Sequence, residues 1–251
     1  MAAANPALYI GIDCQANHRP FSYVALGSDC RPVAMGQGRQ AEVMAYLAGQ
    51  HAAWVGLTAP LRPPAGVMRR EETRQNLVPT PAPGQWMDAR QCEYELFTRG
   101  LRYPRTAANP ADCPPWMRRG FGLIAFLERL GYQPFPAEQP LQYAEVQADA
   151  AFGSLLGRAP YEAGTLEGRM QRQLVLRQQG TSVPDPMNFI EEITPYKLVN
   201  GLLPLEQIHS PYTLNAWMAA LTLWLAYHKP QRVACLGAVE EGMLLLPLRE
   251  E

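Results

Sequence analysis

Two apolar runs near the start of the chain, Tyr9-Ile10-Gly11-Ile12-Asp13-Cys14 and Phe21-Ser22-Tyr23-Val24-Ala25-Leu26, stand only a short polar turn apart. Strand-length runs joined so closely form an antiparallel pair, because a parallel crossover needs a dozen or more residues. A third run over residues 31–36 follows the polar turn Gly27-Ser28-Asp29-Cys30, so the chain opens as a meander of three antiparallel strands. The first strand ends in an aspartate, and a carboxylate buried at the centre of a sheet is costly unless it binds something. Asp13 is therefore the first candidate functional residue.

A short helix over residues 41–48, with Val43, Met44 and Leu47 on one face, leads into the apolar run Ala53-Trp54-Val55-Gly56-Leu57-Thr58. That pattern carries the chain across to a fourth strand parallel to the first. Residues 60–116 are proline-rich with little periodicity apart from a helix over 89–98, and read as an inserted lobe lying over one end of the sheet. A helix over 121–130 stopped by Gly131 precedes a fifth strand, Gln142-Tyr143-Ala144-Glu145-Val146, which puts Glu145 near a strand end. Helices are expected over 148–156, 166–179, 187–199 and 213–228, and two short strands over 232–236 and 243–246. The expectation is one domain over residues 1–251, an α/β mixed sheet of ribonuclease H-like strand order with helices on both faces.

Composition narrows the partners. A formal net charge of -1 and a sequence pI near 6.4 leave no global field that would draw the chain to nucleic acid or an anionic membrane. Neither a leader pattern at residues 1–6 nor an apolar run of spanning length is seen. Five widely spaced cysteines without a CxxC pair argue against a disulfide framework and structural zinc, and fit reduced thiols in a cytoplasm.

An ordered series of short motifs carries a family resemblance. Gly11-Ile12-Asp13, Val55-Gly56-Leu57-Thr58-Ala59-Pro60-Leu61, Arg90-Gln91-Cys92-Glu93, Tyr143-Ala144-Glu145-Val146, Thr165-Leu166-Glu167-Gly168-Arg169 with Arg172, and Leu214-Asn215-Ala216 ahead of Ala219-Ala220-Leu221-Thr222 resemble the successive motifs of the domain of unknown function 429 family. That family is described as predicted nucleases of ribonuclease H-like fold, and the resemblance runs from about residue 8 to Pro247. It implies metal-assisted phosphodiester hydrolysis, with Asp13 and Glu145 holding Mg²⁺ or Mn²⁺ and with Thr58 and Asn215 positioning water or a ligand oxygen. Arg90, Arg169 and Arg172 would meet the substrate phosphate. Thr58 and Asn215 depart from the pattern, since the family usually has aspartate at both places, and neither residue supplies the negative charge that offsets dehydration of a divalent ion.

Each candidate also has a structural reading. Asp13 would accept hydrogen bonds from the turn after it, Glu145 would pair with Arg169 or Arg172, and Asn215 would cap Trp217 or Met218. The Arg90, Glu93, Glu95, Arg99 series reads as a solvated helix face, and Arg169 and Arg172 as partners of Glu162 and Glu167. Three functions follow: a metal-dependent nuclease or phosphohydrolase acting on nucleic acid or a nucleotide at a local site, a catalytically degenerate scaffold or binding protein, and a nucleotide-binding protein of the actin and sugar-kinase type. Trp217, Trp224 and Tyr227 on the last long helix would serve either a homo-oligomer interface or the core.

Overall fold

A computed structural model describes residues 8–14 and 19–250 of the 251-residue chain; the expectations for residues 1–6 and for the turn at 15–18 lie outside them. The three-strand opening is present as β1 (Leu8–Asp13), β2 (Phe21–Leu26) and β3 (Pro32–Gly38), with β1 and β2, and β2 and β3, antiparallel. Helix α1 (Gln40–Ala48) crosses to β4 (Ala53–Leu57), parallel to β1 and in register from Leu8 opposite Ala53 to Ile12 opposite Leu57. After α2 (Glu71–Gln75), α3 (Gln91–Thr98) and α4 (Pro115–Arg129), a two-residue β5 (Gln133–Pro134) flanks β6 (Leu141–Glu145), and β6 is parallel to β4.

The remainder comprises α5 (Ala148–Leu156), α6 (Leu166–Gln178), α7 (Met187–Glu191), α8 (Pro195–Val199), α9 (Pro211–His228), β7 (Val233–Leu236) and β8 (Leu244–Pro247). One mixed sheet results, in the order β3-β2-β1-β4-β6-β8-β7 with β5 beside β6. The single helix expected over 187–199 is instead two short ones. Pro195 is the first residue of α8 and Thr194 caps it by accepting from the Lys197 N–H, so proline chemistry breaks the pattern there. Helix α4 begins six residues ahead of its expected start for the complementary reason, because Pro115 is accommodated at a first helical turn.

Strand alternation divides the core in two. Tyr9, Val24, Trp54, Ala144 and Val146 pack with α5, α6 and α9 on one face, while Ile10, Ile12, Val55, Leu57 and Tyr143 pack with α1 and α4 on the other. Contact with α9 is closest at Gly11, where a β-carbon would lie 1.9 Å from the Ala216 carbonyl oxygen; only glycine lets the helix seat on β1 at that depth. The proline-rich stretch is tied into the body, since Cys92 and Leu96 of α3 pack with Leu236, Leu244 and Leu246 of β7 and β8.

Candidate functional site

Asp13 closes β1 with its side chain buried. Thr58, the residue after β4, donates its hydroxyl to Asp13 Oδ1 at 2.6 Å and accepts from the Cys14 N–H at 3.0 Å, clamping the ends of the two central strands together. Both side chains project to the face that α9 covers, since odd-numbered residues of β1 and even-numbered residues of β4 point that way. Asn215 of α9 belongs to the same face, next to the Ala216 that rests on Gly11, and it is buried with no hydrogen-bond partner for Oδ1 among the described residues. Its side chain takes no part in capping, because the N-cap of α9 is Ser210, whose hydroxyl accepts from the Thr213 N–H.

Glu145 lies on the opposite face. Ile12, Leu57 and Glu145 occupy one row across β1, β4 and β6, so Glu145 points to the side of Ile12 and Leu57, away from Asp13. It is wholly buried, and so is its partner Arg90, which donates from both terminal nitrogens, Nη1 to Oε2 at 2.6 Å and Nη2 to Oε1 at 2.7 Å. The Leu61 N–H donates to the same Oε2 at 3.2 Å. Arg90 Nε turns to Glu93 Oε1 at 3.2 Å, and that oxygen also accepts from the Thr106 N–H at 2.9 Å. Burial disfavours the Arg90 charge, yet the negative groups around it, Glu145 with its hydrogen bonds included, hold the guanidinium pKa well above its ordinary value. The cation stays ionised, and its fork fills the acceptor sites of the Glu145 carboxylate.

These positions revise the sequence reading. The salt bridge expected for Glu145 is formed, but with Arg90 and not with Arg169 or Arg172. The Arg90 and Glu93 pair is buried, so the expected solvated helix face is corrected: Cys92, Tyr94 and Leu96 drive α3 inward and carry its first-turn charges with them. Arg172 is also buried and donates to Asp149 at 2.8 Å and to the Tyr161 and Gly168 carbonyls at 2.7 and 3.2 Å, so its acidic partner is Asp149 in place of Glu162 or Glu167. Arg169 is half-buried on α6, and no ion pair of it is formed among the described residues. Of the seven candidates, the fold thus joins Asp13 to Thr58 and Arg90 to Glu145, and leaves Arg172 engaged elsewhere.

No family model, curated protein or solved structure matches this chain.

A divalent ion shared by Asp13 and Glu145 does not fit this geometry. The two residues sit on β1 and β6 with β4 between them, about 10 Å apart across the sheet and on opposite faces, whereas Mg²⁺ needs oxygens about 2.1 Å away. Among the described residues no cluster of three or more histidine, cysteine, aspartate or glutamate side chains is placed to hold a metal. A buried acid to which the residue patterns gave no role is Glu241. It accepts from the Ala65 and Gln91 N–H groups at 2.9 Å each and so fastens the start of the proline-rich stretch and the start of α3 within it to the body. Its only sequence signal is the acidic pair ahead of Gly242. All five cysteines are free, and among the described residues no helix is long and apolar enough to cross a membrane.

Proposed function

We propose that this chain is a ribonuclease H-like domain, of the kind the domain of unknown function 429 resemblance implies, that has exchanged metal-dependent hydrolysis for a binding or assembly role. The strand order, with three antiparallel strands followed by parallel β4 and β6, supports the fold assignment. One observation carries the functional reading: the carboxylate that would join Asp13 at a metal is locked two-pronged onto a buried arginine on the other face of the sheet. A buried arginine supplies the compensating charge that an ion would otherwise provide, at a fixed position and independent of metal supply. Thr58, which donates its hydroxyl to Asp13, and the buried Asn215 stand where the resembled family usually has aspartate, and neither supplies the negative charge that offsets dehydration of Mg²⁺ or Mn²⁺.

The test is a calorimetric titration of Mn²⁺ into metal-stripped protein with Asp13→Asn in parallel, followed by incubation with DNA, RNA and a phosphodiester reporter. The expected result is no saturable heat at millimolar ion and no cleavage above buffer. Saturable binding and cleavage that both vanish in Asp13→Asn would restore the nuclease reading.

A further inference from the structure

Large apolar side chains are exposed in quantity over one segment. Met187 and Ile190 of α7, Tyr196, Leu198 and Val199 of α8, and Leu202 just after it are each between 44% and 85% exposed. Helix α8 buries none of its five residues, and a helix of that length has no stability of its own in water. The segment is nevertheless held firmly at its two ends. Gln173 of α6, itself fully buried, donates to the Pro184 and Gln207 carbonyls at 2.9 Å each and accepts from the His209 N–H at 3.0 Å, while Phe189 anchors α7 in the interior. An apolar surface strapped in place in this way is organised before any partner arrives, which lowers the entropic cost of association.

We infer that this segment is the self-association face of the protein and that its occupant is the same segment of a second copy. The inference deepens the assembly reading and rests on it. The six residues together expose roughly 650 Å² of surface, most of it apolar, taking roughly 150–230 Å² for each when fully open. A stable dimer of standard size needs about 800 Å² from each partner, of which about 65% is apolar in homodimers, so this face alone supplies the apolar share. Its charges argue against a lipid surface as the occupant. Lys197 pairs with Glu192 at 3.6 Å, and Glu191 remains as an exposed acid, a pattern without the basic excess that an anionic membrane would require.

Sedimentation equilibrium on the full chain tests this. At about 10 μM the expected species has twice the 27.9 kDa mass of one chain, and Leu198→Asp with Val199→Asp returns it to single-chain mass by raising the dimer Kd at least about 100-fold. Val78→Asp, at a side chain 91% exposed outside the segment, leaves the dimer intact. Far-UV circular dichroism verifies that the variants fold, and Tyr196→Ser with Leu202→Ser gives an uncharged second version. A wild-type monomer at about 100 μM, a dimer that survives both double variants, or one that Val78→Asp also dissociates would overturn the inference. A dimer that binds Mn²⁺ and cleaves phosphodiesters would instead overturn the proposed function and leave this face standing.

Discussion

Replacing Arg90 by methionine, which keeps an unbranched apolar stem but is shorter and carries no charge, leaves two carboxylates buried without their cation. Glu145 is then left with the Leu61 N–H and Glu93 with the N–H groups of Thr106 and Arg90's own position, in a site where all three side chains are nearly inaccessible to water. Breaking a buried pair by removing one partner costs about 3–5 kcal/mol, against about 0–1 kcal/mol for an exposed pair. In a domain of this size each kcal/mol moves the melting temperature by about 2–4 °C, so the expected loss is roughly 6–20 °C by thermal circular dichroism at neutral pH. Glu145→Gln added to Arg90→Met should recover part of that loss, because it removes one stranded charge while keeping an acceptor for the Leu61 N–H. The coupling between the two sites, read from the full double-mutant cycle, isolates the pair. A loss under about 1 kcal/mol for Arg90→Met would refute the argument, since it would place the pair among solvent-screened surface bridges and return Glu145 to the pool of free ligands.

Two further outcomes follow from the packing around α9. Gly11→Ala drives a methyl group into the Ala216 carbonyl and should destabilise by about 3 kcal/mol or more, with loss of soluble protein as the readout; wild-type urea stability would mean that α9 is not seated on β1 as described. Burial lowers the pKa of His209, whose ring lies 5.6 Å from that of Trp217, so the folded protein resists a proton that the unfolded chain accepts. The stability this protects is complete above about pH 6.5 and is lost as pH falls below it, so the urea midpoint should drop between about pH 7.5 and 5.5, and His209→Gln should shrink that drop. An unchanged pH dependence in the variant would show that His209 titrates normally.

The fold was legible wherever pattern and periodicity coincide. The meander of β1 to β3 follows from apolar runs separated by turns too short for a crossover, and α1 leading to a parallel β4 follows from helix-length spacing. The long last helix was legible too, but its aromatic residues have one resolved role in the core: Trp217 is buried, and Tyr227 stacks edgewise on Trp54 and tilts against Tyr9. The apolar residues that do face outward, in α7 and α8, carry no periodic signature because two prolines, Pro186 and Pro195, cut the segment into single turns.

What motif spacing could not convey is parity. Asp13 and Glu145 each end or nearly end a central strand, and a motif series treats them as neighbours, yet the face each presents depends on register across β4, which is fixed only when Ile12 aligns with Leu57 and Leu57 with Glu145. A shift of one residue in either pairing would have put both carboxylates on one face and made a metal site geometrically available. Arg90 is the chain's own check on that register. Its guanidinium reaches Glu145 only on the α1 and α4 side, and the same arginine is set by Glu93 one helical turn on, whose carboxylate also accepts from the Thr106 N–H. Sheet register, insertion and ion pair therefore specify one another, and a chain that retained the acid for catalysis could not also spend it on holding the insertion to the sheet.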